Sequence, residues 1–428
     1  MHGFSYKNGQ LHCEGVDLKA LADEHGTPLY VYSASTFLDH YRKLDAALAE
    51  VDHEVAYAVK ANSNLSVLKL LAGEGSGFDI VSAGELKRVI AAGGDPAKCT
   101  FAGVAKTRDE ITFALQKGIY AFNAESEAEL VLIDQIAGEL GVKAPVALRV
   151  NPHVDAKTHK YISTGKAENK FGIDLPFIED AYERASALPN LHIKGLQMHI
   201  GSQLTQSQPF VEAVEKVAPL VSRLKETYGI EFWSIGGGLG IVYDPALASG
   251  DAAWWEGEGG KPITVQEYAS ALIPTLKSVG VKIFLEPGRF IAGNAGVLLT
   301  RCIYEKTGSE KTFKIVDAGM NDLIRPALYE GYHEIQPVDE SISDTVSADV
   351  VGPVCETGDF FCQNREVADV KQGDLYALMS AGAYGFVMAG VYNTRPLPAE
   401  ILVTAAEPKV IRPRQTVEDI LAPELGCL

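Results

Sequence analysis

Val55-Ala56-Tyr57-Ala58-Val59-Lys60-Ala61-Asn62 is the stretch on which the fold turns. Residues Glu54–Lys60 read as a short apolar strand that ends on a cation. An amine at the end of a half-buried strand is costly unless it is paired or used covalently, because burial disfavours its charged form. The same burial makes it a competent Schiff-base former. A lysine in this place can also lay its stem along the rim of the fold and keep its head in water.

Working outward, seven more strand-like runs follow: Phe78–Val81, Cys99–Ala102, Ile119–Phe122, Pro145–Val150, Ile193–His199, Glu231–Gly236 and Lys282–Glu286. Helical patterns fill the gaps at Leu65–Glu74, Gly84–Ala92, Thr107–Lys117, Ser126–Leu140, Pro176–Ala187, Pro209–Tyr228 and Val265–Val279. Another helix, Ser35–Glu50, precedes the first strand, with Ser33 and Ser35 as cap candidates. Eight strand–helix alternations predict a (β/α)8 barrel of the TIM type over residues 28–290; a doubly wound open sheet shares the alternation. Past Arg289 the helical periodicity stops. Short strand-like runs at Val297–Glu305, Thr312–Asp317, Asp349–Val354, Leu375–Ser380 and Ile401–Thr404 alternate with Gly/Pro/Asp clusters. This predicts an all-β domain over 291–428, and the strand-like segment 1–27 joins it.

Composition limits the function. A chain of 428 residues exceeds one small core and suggests two domains. Its net charge of −18 argues against a nucleic-acid partner, which needs a basic face. No apolar run reaches membrane-spanning length, and Met1-His2-Gly3-Phe4-Ser5-Tyr6-Lys7 has no apolar signal region. The six cysteines show neither a metal-like nor a disulfide-like spacing, which points to a reducing cytoplasm. No metal site is expected.

In a barrel of this type the active site lies at the C-terminal strand ends. Those ends carry Lys60, Asp79, Arg149 with Asn151, His199 before Gly201-Ser202-Gln203, the run Gly236-Gly237-Gly238-Leu239-Gly240, and Glu286-Pro287-Gly288-Arg289. Glycines let backbone N–H groups approach an anion, and loops after strands seven and eight often hold phosphate in barrels. A glycine run is otherwise just a turn. A phosphate site with a strand-end lysine suggests pyridoxal phosphate, with Glu286 as the carboxylate facing its pyridine nitrogen. His199 could stack on the ring or be a satisfied core histidine. Asp79 could orient a neighbour or cap a turn.

Taken together, Tyr57-Ala58-Val59-Lys60-Ala61-Asn62, Phe78-Asp79-Ile80-Val81-Ser82, His199-Ile200-Gly201-Ser202-Gln203, Gly236-Gly237-Gly238 and Glu286-Pro287-Gly288-Arg289 resemble the alanine-racemase-fold decarboxylases that use pyridoxal phosphate. The second domain is more discriminating. Asp317-Ala318-Gly319-Met320-Asn321, Arg325-Pro326-Ala327-Leu328-Tyr329, Gly352-Pro353-Val354-Cys355-Glu356-Thr357-Gly358-Asp359 and Ala381-Gly382-Ala383-Tyr384-Gly385 resemble the diaminopimelate decarboxylase branch. The resemblance implies decarboxylation of meso-2,6-diaminopimelate to L-lysine and CO2, the last step of lysine biosynthesis. It implies that Lys60 is the Schiff-base lysine, that His199 stacks on the cofactor ring and that Glu286 meets the pyridine nitrogen. Ser202, Gly238, the Gly288 loop and Tyr384 would hold the phosphate. Asp79, Gly237, Pro287 and Arg289 would complete the cofactor set. Arg289, Arg325, Tyr329 and Tyr384 would bind substrate, with Glu356 at its distal ammonium and Cys355 returning a proton to the α-carbon. The implied assembly is a homodimer with shared active sites, the Cys355–Glu356 segment reaching into the partner's site.

The residue chemistry agrees with that reading. A substrate with a second amino-acid end needs a cation for its carboxylate and an anion for its ammonium, and arginine suits the former through its planar fork. Taken alone, Arg325 is as compatible with a surface ion pair, and Cys355 with an inert buried thiol. The long polar segment 153–170 after strand five reads as a lid or as a surface excursion. Three other readings stay open: a same-fold decarboxylase of ornithine, arginine or carboxynorspermidine, a non-enzymatic homologue, and a racemase. Arg325 with Tyr329 speaks against the first, and the presence of Lys60 and Cys355 against the second. A racemase would carry a cation, not Glu286, at the pyridine nitrogen.

Overall fold

The computed structural model describes residues 1–154, 170–257 and 261–428. Of the segment predicted as a lid, residues 155–169 lie outside the described residues. The chain forms two compact units: Leu38–Ile241 with Pro262–Phe290, and Met1–Phe37 with Val242–Lys261 and Ile291–Leu428.

The first unit is a barrel. Its strands are His53–Ala58 (β1), Gly77–Ile80 (β2), Cys99–Phe101 (β3), Ala121–Ala124 (β4), Ala144–Asn151 (β5), Leu191–Met198 (β6), Phe232–Ser234 (β7) and Lys282–Leu285 (β8). Every neighbouring pair is parallel, β4 pairs with β5, and β8 pairs with β1, so the eight strands close on themselves, and the two-residue strand Ile173–Asp174 adds beside the end of β5. This settles barrel against open sheet. The connecting helices start and stop where their chemistry says they should. Thr107–Glu110 and Thr264–Glu267 are capping boxes, and Ser82 and Ser126 cap through their hydroxyls. Gly118, Gly141, Gly229 and Gly280 end their helices in the left-handed conformation.

Small and large side chains share one interior layer: Ala56, Ala121 and Ala147 stand against Phe232 and Phe284. The ring of Tyr120 meets Phe232 at 5.1 Å and Phe284 at 4.6 Å between centroids. Gly195 on β6 leaves the room that Phe232 fills, since a Cβ there would lie 2.4 Å from its ring. That layer plugs the barrel below the strand ends.

The second unit is built on a sheet ordered Phe360–Ala368, Thr345–Val351, Thr312–Val316, Gly296–Thr307, Leu29–Ser33, Ala399–Thr404, Glu407–Arg412. Leu29–Ser33 runs antiparallel to Gly296–Thr307 and parallel to Ala399–Thr404, and all five of its residues are buried. It therefore belongs to this sheet, although the sequence reading placed residues from 28 onward in the barrel. Residues 242–261 also cluster here, with Ala246 in the same core as Phe4, Leu11, Val297 and Ile401. The β domain expected here is present, and its sheet also carries the short helices Leu18–His25, Arg325–Tyr329 and Val417–Leu425. Asp17 and Thr416 cap two of these helices, signals that the strand-like texture around them masked. Among the described residues no helix is long and apolar enough to cross a membrane.

Truncating the barrel plug should be costly. Phe284→Ala is expected to destabilise the barrel by about 3–5 kcal/mol, read as a lower urea midpoint with an unchanged slope. A midpoint equal to the parent's would remove this layer from the list of things that hold the barrel closed.

Candidate active site

Lys60 does not end a strand. Strand β1 stops at Ala58, and Val59–Ala61 form a single 3₁₀ turn in which Val59 and Ala61 are buried. The Tyr57 hydroxyl donates to the Asn62 carbonyl at 3.1 Å, and the Ala58 N–H donates to the Pro287 carbonyl at 2.9 Å. These bonds fix the turn against the chain leaving β8. The Lys60 side chain keeps 39% of its exposure, and its Nζ lies 2.5 Å from Oδ2 of the fully buried Asp79 on β2. The amine is thus paired, one of the two ways in which a lysine at such a place is satisfied, and its partner is a buried carboxylate. Asp79 Oδ1 is buried without a hydrogen-bond partner among the described residues.

Glu286 follows β8 and is 7% exposed. Its carboxyl accepts from Asn123 Nδ2 at 3.2 Å, Gln197 Nε2 at 2.9 Å and Ser234 Oγ at 2.7 Å. Burial first, and then the charge of Asp79, push it up to about 7; Ser234, Lys60 and Gln197 pull it back. His199 follows β6 and is held well below the usual imidazole range by burial first and then by the charges of Arg149 and Lys60. Its Nδ1 accepts the Gly237 N–H at 3.3 Å, which leaves the ring proton of the neutral form on Nε2. Arg149 itself is paired with the buried carboxylate of Glu125 at 3.2 Å.

The glycine loops after β6, β7 and β8 press backbone against backbone. A Cβ on Gly237 would lie 2.2 Å from the Glu286 carbonyl oxygen, and one on Gly238 (φ +108°) would lie 2.6 Å from that of Gly201. Only glycine fits either position. Arg289, 7% exposed, donates through Nε and Nη2 to Ser202 Oγ at 3.2 and 3.1 Å. Lys60, Asp79, His199, Ser202, Gly237, Gly238, Glu286, Pro287, Gly288 and Arg289 therefore share one end of the barrel, as the strand order predicts.

Arg325, Tyr329, Cys355, Glu356 and Tyr384 belong to the second unit. Arg325 opens the short helix Arg325–Tyr329, is 6% exposed and bonds His333 Nε2 at 2.7 Å. His333 Nδ1 lies 2.8 Å from the Met379 carbonyl, which takes the ring proton and turns Nε2 into the acceptor for the guanidinium. The guanidinium also covers the Tyr243 ring at 4.8 Å. Tyr329 is half-buried at the other end of that helix. Cys355 is exposed, not buried. Its loop is held by Asp359, whose Oδ2 accepts the Val354 N–H and whose Oδ1 accepts the Met320 N–H, both at 2.6 Å. The Cys355 N–H donates to Asn393 Oδ1 at 2.8 Å, and the Tyr392 hydroxyl donates to Glu356 Oε2 at 3.2 Å. Tyr384 sits in the left-handed region at φ 56°, uncommon for an aromatic residue.

Sequence reasoning passed over Asn123, Gln197 and Ser234. Each is the one polar residue in an apolar strand run: Ala121-Phe122-Asn123-Ala124, Leu196-Gln197-Met198 and Phe232-Trp233-Ser234-Ile235. A buried polar residue in such a run must find a partner, and that signal was available.

Residues 35–293 match the family described as pyridoxal-dependent decarboxylase, pyridoxal binding domain. A diaminopimelate decarboxylase from Pseudomonas aeruginosa is 49% identical over 428 residues, covering 99% of both chains. The crystal structure of diaminopimelate decarboxylase from Helicobacter pylori, complexed with L-lysine, superposes with a TM-score of 0.89 at 38% identity and covers 96% of this chain and 100% of that one. The enzyme of the same name from M. jannaschii, also in complex with L-lysine, gives 0.90 at 37% identity over 99% and 98% of the two chains. With strand ends that carry an ion-paired lysine and a buried carboxylate, and with likeness running the full length of both units, the chain belongs to the diaminopimelate decarboxylases of the pyridoxal-dependent decarboxylase family.

Proposed function

We propose that this protein removes CO2 from the D-centre of meso-2,6-diaminopimelate to yield L-lysine, with pyridoxal phosphate as cofactor. The observation that carries this reading is the 49% identity to a diaminopimelate decarboxylase over 99% of both chains. The residues at the barrel mouth fit the cofactor. They present an amine on a buried aspartate, a carboxylate buried by β8 and supplied with donors, and a hydroxyl beside a guanidinium at glycine turns. Lys60 would hold the cofactor's aldehyde carbon. Ser202, Gly238, the Gly288 loop and Tyr384 would hold its phosphate end, and Asp79, Gly237, Pro287 and Arg289 would complete the cofactor site. Bound there, pyridoxal phosphate supplies an electron sink for the pair that CO2 leaves behind.

The protein's own residues do the rest. Glu286 holds a proton at the pyridine nitrogen. Neutral His199 offers a flat face without adding a charge. Asp79 keeps the Lys60 amine in place between turnovers. Arg289, Arg325, Tyr329 and Tyr384 grip the substrate, the arginines through planar forks suited to carboxylate. Glu356 takes the distal ammonium. Cys355 delivers a proton to the α-carbon, and an exposed thiol in a pinned loop suits that task. In this reading the active form is a homodimer in the cytoplasm, and the Cys355–Glu356 segment serves the partner subunit's site.

Borohydride reduction of the cofactor-loaded protein, followed by peptide mapping, should place the pyridoxyl label on Lys60. A label on any other lysine overturns the site. Arg325→Ala should cut kcat/KM for meso-diaminopimelate by about a hundredfold or more, since one partner of a buried charge pair is lost. Cofactor absorbance and the melting temperature serve as controls, because His333 loses its donor as well. Full activity of Arg325→Ala, or a preference of the parent for ornithine or arginine, sinks the diaminopimelate assignment. Mixing Lys60→Ala with Cys355→Ala subunits should restore a fraction of sites. Continued inactivity after demonstrated subunit exchange counts against shared sites.

A further inference from the structure

We propose that Asn123, Gln197 and Ser234 are positioning residues that keep Glu286 ionised and fix the direction of its carboxylate. The proposal rests on the reading that Glu286 meets the cofactor's pyridine nitrogen, and it explains how a carboxyl so deeply buried can serve there. The three donors come from β4, β6 and β7, and converge on one group after β8. They are 0%, 1% and 0% exposed, so water is no substitute for them.

Two details show that the donors are aimed. Ser234 Oγ accepts the Gly236 N–H at 3.2 Å, which turns its own proton toward Glu286 Oε1 at 2.7 Å. Asn123 and Gln197 each point their NH2 at Glu286 and leave their carbonyl oxygens, Oδ1 and Oε1, buried without a hydrogen-bond partner among the described residues. An orphaned buried acceptor is a standing cost. The core carries that cost twice, and in return the carboxylate receives N–H donors on both oxygens. Such donors stabilise only the ionised form. They oppose burial and the negative charge of Asp79 from β2, while Lys60 from the turn after β1 acts in the same direction as the donors. The other charged group nearby, Arg149 on β5, is paired with Glu125, and His199 is neutral.

The test reads the Glu286 carboxyl directly. In full-length protein stripped of cofactor, the protonated carboxyl stretch is followed by infrared spectroscopy against pH and assigned as the band that Glu286→Gln lacks. Ser234→Ala and Gln197→Met each remove one donor with little change of shape. Each should move the deprotonation midpoint upward by about one to two pH units, the worth of a hydrogen bond to a charged group. Pyridoxal phosphate affinity, measured by fluorescence titration, should fall several-fold in the same variants. A donor with a merely structural role would lower the melting temperature and leave the midpoint alone. An unchanged midpoint in whichever of the two variants folds overturns the proposal. A raised midpoint with unchanged cofactor affinity and visible spectrum supports the cradle and overturns the placement of Glu286 at the pyridine nitrogen.

Discussion

The hydrogen bonding of β8 to β1 is the constraint on which the rest of this structure depends. Leu285 pairs with Val55, Phe284 with Glu54 and Ile283 with His53, and one step further the Ala58 N–H reaches the Pro287 carbonyl. Those bonds join the first and last strands of the barrel. They bring the turn that carries Lys60 beside the loop that carries Glu286, although the two residues are separated by most of the barrel sequence. The aromatic plug of Phe232, Phe284 and Tyr120 supports the closure from below, and the glycine loops lock it from above.

The barrel mouth is an electrostatic balance. Asp79 and Glu286 are two buried acids; burial first, and then the charge of Asp79, push the second up to about 7. Lys60 neutralises the first through a short ion pair, and the core donors counter the desolvation of the second. His199 stays uncharged because it is buried, with the charges of Arg149 and Lys60 acting in the same direction. Changing one charge here shifts the rest, which is the usual condition of a site that must move protons near neutral pH.

Much of this was legible in the chain. Eight apolar runs separated by helix-length segments identify the barrel, because a parallel strand can return to its neighbour only through such a crossover. The order of the strands then places Lys60, Asp79, His199, the glycine run and Glu286 at one end, since strand ends are topologically equivalent in a barrel. Phe360–Ala368 and Glu407–Arg412 escaped notice because their polar and charged residues blur the alternation. The helix Val417–Leu425 escaped because it buries none of its residues and so lacks a core-facing stripe.

By itself, then, the sequence determined the strand–helix alternation, the helix caps and stops, the family, and the residue types at the strand ends. These are local properties, written in periodicity, in capping chemistry and in motifs a few residues long. Tertiary structure alone decided that Leu29–Ser33 leaves the barrel for the second sheet, because its pairing partners lie hundreds of residues away at Gly296–Thr307 and Ala399–Thr404. It alone decided that the partner of Lys60 is Asp79, and that Asn123, Gln197 and Ser234 turn toward Glu286. Those facts depend on distances between atoms from different strands, and a buried charge takes its properties from whatever the closed barrel sets beside it.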